Sequence, residues 1–129
     1  MQYLRYFLIL TAFFSSNVFS ETYLCIGDKG AEVTSIGQTI NSQVITAENL
    51  KLILSNESGK WTLKYHGGAP TGLDHCINGV LCKASGDGFS GTFFKNRSNV
   101  FTLHTLALDS NSPNAITDAL IKGLCTKLS

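Results

Sequence analysis

Charge is scarce in this chain: Asp, Glu, Lys and Arg make up 15% of its 129 residues, with 10 basic against 9 acidic side chains. Without excess or runs of either sign, the chain lacks the electrostatic footprint of a nucleic-acid or anionic-membrane binder. It has no internal repeat and no low-complexity segment, which points to one cooperative unit. It also lacks an apolar run of the roughly 20 residues that cross a bilayer, so no membrane anchor is expected.

What is present begins with an export signal. Arg5 precedes the apolar run from Tyr6 to Phe14, then come Ser15-Ser16-Asn17 and the small or β-branched Val18 and Ser20, giving an expected signal peptide over residues 1–20 and a cut before Glu21. Cys25 follows Thr22-Tyr23-Leu24 rather than the small residues of a lipoprotein cleavage site. Removal of the leader leaves 129 − 20 = 109 residues of zero formal charge, read as one domain over residues 21–129.

All four cysteines, Cys25, Cys76, Cys82 and Cys125, follow the leader. An even number in a small exported chain reads as two disulfides with three connectivities. Five residues separate Cys76 from Cys82, more than the two to four typical between zinc ligands. The favoured pairing joins the chain ends through Cys25–Cys125 and leaves Cys76–Cys82. Asn78-Gly79 opposes it, because a two-residue type I′ turn there places Cys76 and Cys82 on opposite faces. The pairing therefore requires a wider loop or a bulge, and a tight turn would switch both cysteines to Cys25 and Cys125.

Short strands and frequent turns dominate. Tyr23 to Ile26 reads as a strand, Gly27-Asp28-Lys29-Gly30 as a turn and Ala31 to Ile36 as a second strand, with a weaker strand over Asn41 to Ile45. Leu50, Leu52 and Leu54 alternate with Lys51, Ile53 and Ser55, and after the Asn56 to Gly59 turn Trp61, Leu63 and Tyr65 alternate with Thr62, Lys64 and His66, which predicts a hairpin with one apolar and one mostly polar face. Gly67 to Gly72 is a loop. Phe89 to Phe94 and Val100 to Leu108 read as strands joined by an Asn96 to Asn99 turn, with Gly91 marking a bulge or a close backbone approach. Ser112-Pro113 resembles a helix start, and Ile116, Ala119, Leu120 and Leu124 share a helical face, so a short C-terminal helix is favoured over a closing strand despite Gly123. The expected fold is mainly β: an antiparallel meander forming a small barrel or sandwich, with a possible helix at its end.

The frame Tyr23-Leu24-Cys25-Ile26-Gly27-Asp28-Lys29, two middle cysteines, Gly91-Thr92-Phe93-Phe94 with Phe101 after a basic turn, and Gly123-Leu124-Cys125 together resemble small four-cysteine exported β proteins of Gram-negative bacteria with no assigned activity. The resemblance covers most of the chain after the leader, implies a periplasmic β domain and transfers no catalytic residue. In other sequences of that pattern the middle cysteines lie farther apart and the C-terminal element is extended.

The chemical motifs are weak. Gly86-Asp87-Gly88-Phe89-Ser90-Gly91 matches a dinucleotide fingerprint, but the following Thr92-Phe93-Phe94 favours a strand where a phosphate cradle needs a helix. His66-Gly67-Gly68 and Ser90 echo fragments of a serine hydrolase without the strand-to-helix turn that activates the nucleophile. His66, His75 and His104 would have to converge through tertiary structure to bind a metal, and Asp74 and His75 alternate faces in a strand. Trp61, Tyr65, Phe89, Phe93, Phe94 and Phe101 would fill a core or, in a hollow barrel, line an apolar cavity.

The leading expectation is thus a non-enzymatic periplasmic binding protein, an inhibitor or immunity protein acting on a protein partner, without cofactor or metal. Its candidate partner-binding loops contain His66, Gly67, Gly68, Pro70 and Thr71, and Ser85 and Asp87. An apolar-ligand carrier using the barrel interior is the alternative, followed by a small hydrolase or metal enzyme.

Overall fold

The computed structural model describes residues 20–109 and 112–129. Except for Ser20, the expected leader lies outside the described residues. Among the described residues the regular structure is all strand: β1 (Thr22–Ile36), β2 (Thr39–Thr46), β3 (Lys51–Ser55), β4 (Thr62–Tyr65), β5 (His75–Ile77), β6 (Leu81–Gly86), β7 (Phe89–Lys95), β8 (Val100–Asp109) and β9 (Ser112–Lys127). They form one antiparallel sheet in the order β4-β3-β1-β9-β8-β7-β6-β5, with β2 beside the second half of β1. The sheet curls into a nearly closed barrel whose outermost strands, β4 and β5, approach without forming a ladder.

Alternation builds the core. Cys25, Leu52, Leu54, Leu63, Cys82, Phe93, Phe101, Leu103 and Cys125 project inward, and Leu73 joins them from the segment before β5. Phe93 and Phe101 stack with ring centroids 5.5 Å apart. Tyr23, packed against this core, carries the Lys95 ammonium 4.6 Å from its ring centroid. Trp61 covers Gly79, where an added Cβ would lie 2.7 Å from the indole, and so bridges the seam between the start of β4 and the β5–β6 turn.

Both disulfides join directly opposed residues of neighbouring strands: Cys25–Cys125 across β1 and β9, and Cys76–Cys82 across β5 and β6. The expected pairing is therefore present. Asn78 and Gly79 have φ of 51° and 65°, as a type I′ turn requires, and the Val80 N–H donates to the Ile77 carbonyl at 3.1 Å. Yet Ile77 faces Leu81, so Val80 is an extra residue in the connection. That one residue shifts the register and brings the two cysteines onto one face.

Three local expectations are corrected. Residues 112–127 form β9 rather than a helix. Ile116, Leu120 and Leu124 are spaced by four, and four is even, so they share a face in a strand as well as in a helix; two flanking ladders to β1 and β8 decide the matter. Within the strand, position 123 requires glycine, because a Cβ there would lie 2.0 Å from the Ile26 carbonyl oxygen and 2.6 Å from the Phe101 ring.

Gly27 to Gly30 is not a turn. β1 continues through it with a register shift between Gly27 and Lys29, where its neighbour changes from β3 to β2. The extra residue inverts the alternation: Cys25 and Gly27 face inward before it, and Gly30 and Glu32 continue that face after it. Gly91, expected to mark a bulge or a close backbone approach, does neither: its pairing with β6 and β8 is unbroken, and it is the Leu73 side chain that lies 2.8 Å from where its Cβ would stand.

Candidate functional site

The connection from β4 to β5 combines exposure with a fixed shape. Gly67, Gly68 and Gly72 adopt φ of 107°, 95° and 77°, conformations that side-chain-bearing residues rarely tolerate. The His66 N–H donates to the Lys51 carbonyl at 2.9 Å, Gly68 to Tyr65 at 2.9 Å and Tyr65 to Ala69 at 2.8 Å. Pro70 forms an isolated bridge with Lys64. The Thr71 hydroxyl donates to the Leu63 carbonyl at 2.8 Å and accepts the Leu73 N–H at 3.2 Å. Thr71 is consequently a half-buried latch, whereas His66, Gly67, Gly68 and Pro70 form the exposed part of the loop.

Ser85 and Asp87 belong to the β6–β7 hairpin and are both exposed. In an antiparallel sheet β4 and β6 run in the same direction, so the β4–β5 and β6–β7 connections leave the same end of the barrel. Beside the hairpin, His75, Lys83, Ser85, Ser90 and Thr92 line an open surface groove of about 440 Å³. Farther along this outer face, His104 Nε2 lies 3.1 Å from Asp118 Oδ1, with the two side chains 54% and 48% exposed.

Among the described residues the three histidines do not converge. His75 faces Lys83, Lys83 faces Thr92 and Thr92 faces His104, so His75 and His104 stand three strand spacings apart, roughly 14 Å at about 4.8 Å each. His66 lies in the separate β4–β5 loop. No group of three His, Cys, Asp or Glu suited to a metal occurs among the described residues. Ser90 lies within β7, facing Ser85 and Leu106, away from any strand-to-helix turn. Gly86 to Gly91 likewise forms a hairpin leading into β7, so no helix N-terminus is present there to receive a pyrophosphate.

The six aromatics also separate. Phe93 and Phe101 are fully buried and Trp61 packs at the seam, whereas Tyr65, Phe89 and Phe94 remain 44%, 37% and 46% exposed. They do not surround a common cavity.

Sequence reasoning passed over a second surface. After the β1 bulge, Val33, Ile40, Val44, Ile116 and Leu120 share the outer face, and Glu32, Asn41, Gln43 and Thr117 share the other. The charge-free run from Gly37 to Ala47 was the available signal, but the bulge reverses which side its apolar residues take. No family model, curated protein or solved structure matches this chain.

Proposed function

We propose that this chain is an exported, non-enzymatic binding protein that engages a protein partner through the β4–β5 loop and the β6–β7 hairpin. The observation that carries this function is the loop at His66 to Pro70, exposed at its tip yet pinned by backbone and Thr71 hydrogen bonds. A loop held in one conformation before binding loses less entropy on association, and recognition residues commonly sit on loops carried by a rigid scaffold. The two disulfides supply such a scaffold and indicate an oxidising compartment; the N-terminal sequence extends this to the periplasm. Occlusion of another protein's working surface, as by an inhibitor or immunity protein, is the concrete form of the activity. The carrier alternative has less support because leucines, two phenylalanines and the bridges occupy the barrel interior.

Photo-crosslinking in the native envelope tests the assignment. A crosslinking residue at His66 or Asp87 should give a discrete adduct with one protein, while the same group at Arg97, at the opposite end of the sheet, should not. Equal adducts from all three positions, or none from His66 and Asp87, would reject it.

A further inference from the structure

β2 is an edge strand with an unprotected edge. Among the described residues it pairs with β1 on one side only, and seven of its eight residues are exposed, with Ile45 half-buried. Among the described residues the two most exposed large apolar side chains, Val44 at 83% and Ile40 at 71%, both lie on β2 and on the same face. Natural edge strands usually carry Lys, Pro or an awkward charge that prevents another strand from adding. Residues 37–47 contain neither a charged residue nor a proline.

Ladder geometry identifies the free backbone groups. The Ala47 N–H donates to the Asp28 carbonyl at 3.1 Å, and the Gly37 N–H to the Asn114 carbonyl at 3.2 Å. Each residue of an antiparallel strand directs its N–H and C=O to the same side, and successive residues alternate. Both bonds set the same phase: Thr39, Asn41, Gln43 and Ile45 face β1, and Ile40, Ser42 and Val44 direct their backbone groups away from it.

We propose that a second copy of this chain pairs antiparallel with this edge about a two-fold axis through Ser42. A symmetric pair with continuous sheet faces requires residues of the same parity opposite each other, and the outward backbone groups already lie on even-numbered residues. With Ser42 on the axis, Ile40 meets the partner's Val44, and symmetry repeats the contact. On the other face Asn41 meets the partner's Gln43, amide against amide. An apolar row then runs from Leu120 through Ala31 and Val44 to the partner's Ile40, and no like charges oppose it. None of these residues belongs to the β4–β5 loop or the β6–β7 hairpin, so either interface can fail without the other.

Sedimentation equilibrium of the purified protein and its variants tests this pairing. The wild type should dimerise with rising concentration, and Val44→Lys should weaken association about tenfold, since symmetry removes two apolar cross-strand pairs at once. Under mild oxidation Ser42→Cys should yield a covalent dimer, because directly opposed Cα atoms about 5.5 Å apart suit a disulfide; Asn41→Cys, offset from its own copy, should remain largely unlinked. A wild type that stays monomeric, whether alone or while floating with phospholipid vesicles, would overturn the proposal. A dimer that resists Val44→Lys and gives no covalent link in the Ser42→Cys variant would do so as well.

Discussion

Removing the bridges one at a time separates their contributions. Cys25 and Cys125 are 100 positions apart in sequence and Cys76 and Cys82 only 6. In the chain-entropy account, opening the long loop releases about 4.7 kcal/mol of unfolded-state constraint and opening the short one about 2.4 kcal/mol. Paired Cys→Ala replacement is the cleaner perturbation, because Cys25, Cys82 and Cys125 are buried and a serine hydroxyl would need a partner there. Both double variants lose buried sulfur, so much of the cavity penalty cancels in their comparison. The Cys25→Ala/Cys125→Ala protein should therefore be the less stable by about 2 kcal/mol, or roughly 8 °C in Tm at about 4 °C per kcal/mol. Urea unfolding should show the difference in midpoint and a larger m-value for the long-loop variant, whose unfolded chain is freer to expand. Equal destabilisation, or a greater loss on removing Cys76–Cys82, would refute the loop-length reasoning.

Three further perturbations probe packing and surface charge. Gly123→Ala forces a methyl group into the Ile26 carbonyl and should destabilise by about 2–4 kcal/mol. Gly86→Ala, with no atom within 4 Å of the added carbon, should change thermal stability by no more than about 1 kcal/mol. For His104 and Asp118, both about half exposed, a double-mutant cycle at pH 6 should yield a coupling below about 1 kcal/mol that declines with salt. A salt-insensitive coupling several times larger would show that the pair does more than decorate the outer face.

Much of the fold was legible where two local signals agreed. Leu52, Leu54 and Leu63 alternate with more exposed residues on either side of the Asn56 to Gly59 turn, and the hairpin forms there. The Asn78-Gly79 turn and the Cys76–Cys82 bridge conflicted only while the connection was counted as two residues; Val80 reconciles them. The candidate loops were legible from their glycines, but the role of Thr71 depends on where the chain folds back against Leu63.

The β2 edge was less accessible. Its weak strand signal said nothing of how many neighbours the strand has or which side its apolar residues occupy. A single inserted residue at the β1 bulge decides the second question.

By itself, the sequence determined a disulfide-braced β domain, most of its turns and a near balance of charge, because alternation, turn chemistry and charge count are local properties. Tertiary structure decided that residues 112–127 are a strand, that Gly27 to Gly30 permits close approach instead of a turn, and that β2 lies at an edge. The reason is that a four-residue apolar spacing serves helix and strand alike, and a glycine serves turn and tight contact alike. Only the neighbouring strands, brought together from distant parts of the chain, distinguish them.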